Sequence, residues 1–292
     1  MKLAVACLAT ALTLPACALA DEGAGWVRWK TDSASAQTRT LADLRFGMAT
    51  QIASNGRRTP ILTISDGVRP PLRIEGERGM SSATYASFGV FQLDRRRAGP
   101  VVLFSSYSGG AHCCNMYRAA YAEGGGWTVR KLGRWHTSAT PQVRDVDGDG
   151  RLELVGRDQR FAYAFTSYAE SVPPAQVYEL VDGELVDVSG DPRYRRVFLR
   201  ELKDLRSHCE RDRARGYCAS YAATAARLGR IDEASDVLDR AFPNNGEADS
   251  APLLHPGPGG SLRKPFPTFR EAVTWYLGEL GYLPTPSAGA AP

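Results

Sequence analysis

The sequence predicts an α+β protein: an N-terminal, mainly antiparallel β domain, built as propeller-like repeats or as a sandwich, followed by a small helical domain. Three observations predict it. Between Gly25 and Ser189 short apolar runs are punctuated by turn residues, as in strands. After Asp191-Pro192 the apolar residues switch to helical spacing. The 292 residues hold 29 Gly and 18 Pro without a short period, which suits a turn-rich β chain better than a helical bundle. With 43% hydrophobic and 23% charged residues the chain is a folded one, and a formal charge of +4 implies no nucleic-acid partner.

Residues 1–20 read as a secretory signal. Lys2 is the positive start, Leu3 to Leu14 the apolar core, and Ala18-Leu19-Ala20 the small-x-small cleavage site before Asp21. The apolar run is shorter than the roughly 20 residues that span a bilayer, so the mature chain is expected to have no integral membrane segment and to be periplasmic or secreted. Lipidation at Cys17 is the rival reading, and Pro15 fits a lipoprotein box poorly.

The β domain is expected over 21–190. Its strand candidates run from WVRW at 26–29 through PVVLFSSY at 100–107 and FAYAFTSY at 161–168 to ELVDVS at 184–189. Residues 34–53 are the exception and are expected to hold one short helix. Glu123 to Gly126 and Asp182-Gly183 are expected hairpin turns, because Gly supplies the positive φ they need. A weak internal repeat aligns Asp94 with Asp147 and Trp127 with Leu185, at a period near that of a propeller blade. Two such units are too few for a closed propeller of about four to eight blades.

DVDGDGRLE, residues 145–153, is the strongest chemical signal. Asp145, Asp147 and Asp149 repel one another unless a hard cation collects them, and Ca²⁺ takes about six to eight oxygens in flexible geometry. The expected ligands are these three carboxylates, the Arg151 backbone carbonyl and the Glu153 carboxylate, with Gly150 permitting the sharp turn. An EF-hand needs an acid at the twelfth position, where this chain has Gly156. Val143 before the loop and Leu152, Leu154 and Val155 after it read as strands. VRDVDGDGRLELVGRD thus resembles the calcium loop of FG-GAP or VCBS-type repeats. That resemblance implies a structural Ca²⁺ stiffening a sheet edge, often in extracellular recognition proteins. The corresponding stretch LDRRRAG, 93–99, carries Arg95, Arg96 and Arg97 in place of acids, which precludes a second calcium there. The alternative is an acidic turn without metal.

The segment Ser108-Gly109-Gly110-Ala111-His112-Cys113-Cys114 is the most unusual string. His112 beside two sulfurs has the chemistry of a soft-metal site or a redox pair, set against a structural disulfide in an oxidising compartment. Without residues 1–20 four cysteines remain, Cys113, Cys114, Cys209 and Cys218, and two disulfides are the default, with three connectivities open. Cys209 and Cys218 flank ERDRARGY, eight residues including Gly216, the spacing of two helices joined by a tight turn and stapled across it. Adjacent cysteines have Cα atoms about 3.8 Å apart, below the usual disulfide range of about 4.4–6.8 Å, so a bond between Cys113 and Cys114 is strained. Together with the acidic loop, AYAFTSYAES at 162–171 and YCASYAATAARLGRIDEA at 217–234, this segment resembles a family of uncharacterised secreted bacterial proteins, a resemblance that implies a compartment and no reaction.

The helical domain is expected over 191–283, and 284–292 as a flexible tail. Its three amphipathic stretches begin at Arg193, Tyr217 and Thr268, and Asn244 to Pro265 is expected to be loop. Residues 221–242 resemble a tetratricopeptide-like helix hairpin, which needs a further surface to bury its face. The basic residues of 193–215 interleave with acids along helix faces. The sequence holds no G-x-S-x-G, H-E-x-x-H, Walker or C-x-x-C motif. His136, His208 and His255 stand alone, and the five Trp read as core aromatics. The expected function is that of a calcium-binding, non-enzymatic binding or assembly protein, with a protein or a cell-envelope glycan as partner. The alternative is a redox, soft-metal or catalytic site at His112-Cys113-Cys114.

Overall fold

The computed structural model describes residues 25–31, 36–79, 85–110, 112, 114–136, 141–243, 255–257, 260–262 and 266–283. The expected signal segment 1–20, Cys7, Cys17, Cys113 and the expected tail 284–292 lie outside them. As expected, the chain is α+β, with antiparallel sheets first and helices after. No helix among the described residues is long and apolar enough to cross a membrane.

Three antiparallel sheets are stacked face to face. The first has the order β2 (Gln37–Leu41), β3 (Leu44–Ile52), β4 (Arg58–Ser65), β5 (Leu72–Glu75). The second runs β1 (Trp26–Lys30), β6 (Tyr85–Phe91), β7 (Val101–Tyr107), β8 (Asn115–Glu123), β9 (Gly126–Trp135). The third runs β10 (Gln142–Arg144), β11 (Glu153–Arg157), β12 (Ala175–Val181), β13 (Glu184–Asp187). Alternation along β7 shows why the second sheet is central. Val102 and Phe104 pack with Phe46, Leu62 and Ile64 of the first sheet, while Val101 and Leu103 pack with Leu154 and Leu180 of the third. A strand covered on both faces reads as an unbroken apolar run, which is what PVVLF is.

The third sheet meets the helices on its other face. Ala175 and Val177 of β12 join a core with α1 (Arg195–Asp212), α2 (Arg215–Arg227), α3 (Ile231–Ala241) and α4 (Phe269–Glu279). Helix α2 is the hub, with Cys218 to Ala225 buried without interruption. Cys209 in the last turn of α1 bonds Cys218 in the first turn of α2, the expected staple. Gly216 was placed in the intervening turn by its sequence, but Arg213 makes that turn at φ 49° and Gly216 lies inside α2. There its missing Cβ admits the Glu170 carbonyl oxygen against the helix backbone.

Three expectations are corrected. Residues 34–53 hold no helix among those described. They form β2 and β3, where Leu44, Phe46, Met48 and Thr50 are buried at period two. The turn between them is Ala42-Asp43, both at positive φ, and without glycine it gives no sequence signal. FAYAFTSY is not a strand: 3₁₀ turns at Gln159–Phe161 and Tyr168–Glu170 bracket it, and Phe161 and Ala164 are buried against the helices. Within the loop expected at 244–265, the backbone of His255–Gly257 pairs with Gly260–Leu262, two short strands flanking a Gly/Pro-rich centre. The hairpins at Glu123 to Gly126 and Asp182-Gly183 are present, with Asp182 and Gly183 at φ 53° and 80°.

Candidate metal loop and adjoining cleft

The acidic segment is the connection from β10 to β11, whose strands pair antiparallel with Arg144 opposite Glu153. Each aspartate turns the backbone onto itself. Asp145 accepts from the amides of Gly148 (2.7 Å) and Gly150 (3.0 Å), Asp147 from Asp149 (3.1 Å), and Asp149 from Arg151 (2.8 Å). Gly148 and Gly150 sit at φ 84° and 83°, conformations that a Cβ disfavours. Wound in this way, carboxylate oxygens of Asp145, Asp147 and Asp149 converge within 4.8 Å of one another.

Two further observations bear on what the loop can hold. The Asp147 side chain is 7% exposed, and its Oδ2 is buried without a hydrogen-bond donor. The nearest cations stand off, Arg193 Nη1 at 3.6 Å and Arg95 Nη2 at 3.9 Å. Glu153 does not join the three aspartates. Its carboxylate is fully buried and accepts from the Val146 amide (3.0 Å) and from Arg95 Nη2 (2.7 Å). Arg151 lies within the loop, its side chain donating to the Arg95 carbonyl oxygen at 2.9 Å.

Arg95 is the residue that sequence reasoning under-read. It sits between β6 and β7 of the second sheet, yet its guanidinium crosses to the loop on the third. There it binds Asp149 (2.5 Å) and Glu153, pairs with Glu179 of β12 (3.2 Å) and donates to the Tyr194 hydroxyl (3.1 Å). Burial opposes its charge, but these anions more than offset that and hold it protonated. The same contact keeps the Asp149 carboxyl below the usual range, whereas burial pushes the Glu153 carboxyl up. Asp94, one residue before, is buried and accepts from the amides of Arg96, Asp182 and Gly183, so it fastens the second sheet to the β12–β13 turn. The signal in the sequence was the arginine run LDRRRAG set opposite an acidic loop.

A cleft of about 890 Å³ opens beside the loop, between β10–β11 and α1. Arg144, Asp145 and Asp147 line one side, Arg196, Arg200 and Asp204 the other.

The His112 segment forms a separate cluster. Ser108 and Cys114 close the β7–β8 connection, with the Ser108 amide donating to the Cys114 carbonyl (3.0 Å) and the Cys114 amide to Ser108 Oγ (2.9 Å). Cys114 is disulfide-bonded and in that state offers no thiolate. The His112 and His136 rings both lie against Tyr168, at 4.1 and 5.6 Å between centroids, and Tyr163 stands at 5.3 Å from Tyr168. The two segments singled out in the sequence, 108–114 and 162–171, thus meet in space. Burial, and then the neighbouring His112, lowers the His136 pKa.

No family model and no solved structure matches the chain. Over 233 residues it is 30% identical to a probable thylakoid lumen protein, sll0997, of Synechocystis, covering 77% of this chain and 68% of that protein. Over 243 residues it is 29% identical to the uncharacterized protein y4bJ of Sinorhizobium fredii, covering 80% of this chain but 38% of that protein.

Proposed function

Because the chain belongs to the family of the probable thylakoid lumen protein sll0997 of Synechocystis, we propose that it works in a comparable export compartment, the periplasm or the medium, as a calcium-stabilised, non-enzymatic binding protein. The observation that carries the metal is Asp147 Oδ2, a carboxylate oxygen buried at the centre of an acidic loop with no donor of its own. Burying an unsatisfied charged acceptor costs several kcal/mol or more unless something pairs with it. A hard divalent cation does so, and the oxygen-only donor set suits Ca²⁺ rather than a softer metal.

Asp145, Asp147, Asp149 and the Arg151 carbonyl would hold the ion, with Glu153 already committed to Arg95 and the Val146 amide. Bound Ca²⁺ supplies charge neutralisation and a rigid tether for the β10–β11 connection. Arg95 meanwhile anchors the loop to the second sheet and limits how much uncompensated negative charge the ion finds. This arrangement supports the FG-GAP or VCBS-like reading, in which one metal stiffens a sheet edge next to a recognition surface. The partner is a protein or an envelope glycan.

Thermal unfolding of the mature protein in EDTA, then with Ca²⁺ or Mg²⁺, tests the reading beside Asp147→Asn. A Ca²⁺-specific rise in Tm that the variant loses is expected. Equal Tm values with and without Ca²⁺ in the parent protein would reduce the loop to an ordinary acidic turn.

A further inference from the structure

We propose that the cleft between β10–β11 and α1 binds a small organic polyanion, its carboxylate or phosphate groups held by Arg144, Arg196 and Arg200. The inference deepens the binding reading above, on which its calcium dependence rests, and names the ligand class.

A volume of about 890 Å³ lies within the range of about 300–1,000 Å³ that takes a whole small molecule. Its charged groups are of two kinds. Arg157 is tied to Glu201 and to the Pro173 carbonyl oxygen. Arg144, Arg196 and Arg200, by contrast, make no hydrogen bond or ion pair among the described residues, although each is a cleft-lining guanidinium with several donors to place. Against these three stands one acid in the same condition, Asp204. Asp145 and Asp147 add negative charge at one end, where the proposed Ca²⁺ neutralises it.

Placement favours an anion with more than one charged group. Arg196 and Arg200 are one turn apart on α1, a rise of about 6 Å, and Arg144 ends the strand on the facing wall. Guanidinium forks match the planar oxygens of carboxylates and the face of a phosphate two at a time. The apolar side chains of Val146, Val155, Val197 and Leu205 also line the cleft and suit the carbon frame of such a ligand.

The test is calorimetric titration of the mature protein with two probes, a diuronate carrying two carboxylates and a hexose bisphosphate. Each is titrated with buffered free Ca²⁺ and again in EDTA. Binding of at least one probe is expected, weakened about ten- to a hundredfold in Arg196→Gln/Arg200→Gln, as befits the loss of charge-assisted hydrogen bonds, and unchanged in the same-helix control Arg195→Gln. The probe that binds identifies the group recognised. Because Arg196 and Arg200 make no hydrogen bond or ion pair among the described residues, the double variant should keep the parent Tm, which shows that a loss of binding is local. No binding of either probe, or equal loss in the double variant and the control, overturns the proposal. A separate Ca²⁺ titration keeps the two readings apart: arginine-dependent probe binding without Ca²⁺ binding sinks the metal and leaves the cleft assignment standing.

Discussion

Replacing Arg95 with Gln should reveal how the acidic loop is balanced. The substitution removes a guanidinium from Asp149 at 2.5 Å, Glu153 at 2.7 Å and Glu179 at 3.2 Å. Asp149 is partly exposed, so its pair contributes little. Glu153 has no exposure at all and is left with one amide donor. Breaking a buried pair by removing one partner costs about 3–5 kcal/mol. Arg193 remains on Glu179 at 2.9 Å, which places the expected loss at the low end, about 3 kcal/mol. At roughly 2–4 °C per kcal/mol for a chain approaching this size, Tm in EDTA should fall by about 6–12 °C. Calcium should then restore more stability to the variant than it adds to the parent, because a cation is returned to a loop whose own cation is gone. Calorimetric scans of both proteins, with EDTA and with Ca²⁺, give both quantities. A variant within about 1 kcal/mol of the parent in EDTA, or a smaller calcium increment in the variant, would refute the account of Arg95 as the loop's internal counter-ion.

Three further outcomes are expected. Cys209→Ser should cost about 2–3 kcal/mol through the lost constraint on a short loop, read from urea unfolding. Gly216→Ala drives a methyl into the Glu170 carbonyl oxygen, so overpacking of about 1–3 kcal/mol should appear in the same assay. His136 has a folded-state pKa below its unfolded value, so the folded form binds fewer protons between the two. Its contribution is complete above the unfolded pKa of about 6.5 and is lost as pH falls through the folded pKa; between pH 7 and 5 the parent should therefore lose more Tm than His136→Gln does.

The sequence spoke most clearly where one local rule acts alone. Strands buried on both faces announced themselves as apolar runs, and the helices by their period. The staple between Cys209 and Cys218 could be read because it closes over a short segment. The convergence of Asp145, Asp147 and Asp149 was legible for the same reason, since the turns that wind the loop are made by its own residues. Failures cluster where a distant partner decides. The Ala42-Asp43 turn lacks a glycine and so hid a hairpin. FAYAFTSY has the composition of a strand but is bent so that Phe161 and Ala164 meet helices that arrive later in the chain. Gly216 looked like a turn residue, and only the approach of Glu170 shows what its missing side chain is for. Arg95 is the clearest instance. Its partners Asp149, Glu153, Glu179 and Tyr194 lie 54 or more residues along the chain, where local spacing rules do not reach.

The same long-range contacts couple the loop to the cleft. Asp147, whose buried Oδ2 accepts no hydrogen bond, faces Arg193 at 3.6 Å, and Arg193 and Tyr194 share Glu179 with Arg95. Tyr194 directly precedes α1, whose second residue is Arg196. A cation at Asp147 therefore acts on the chain entering the helix that carries two of the three free arginines. It also cancels the negative charge that Asp145 and Asp147 present to an incoming anion. That cancellation favours anion binding when Ca²⁺ is present. Thermodynamic linkage then requires the anion to strengthen Ca²⁺ binding by the same factor, and couplings of this kind are typically about 5- to 150-fold. Measuring the Ca²⁺ Kd with and without saturating ligand, and the ligand Kd with and without Ca²⁺, should return equal ratios above one. Ratios of one in both directions would mean that loop and cleft bind independently, and that the chain from Asp147 through Arg193 to α1 carries no coupling.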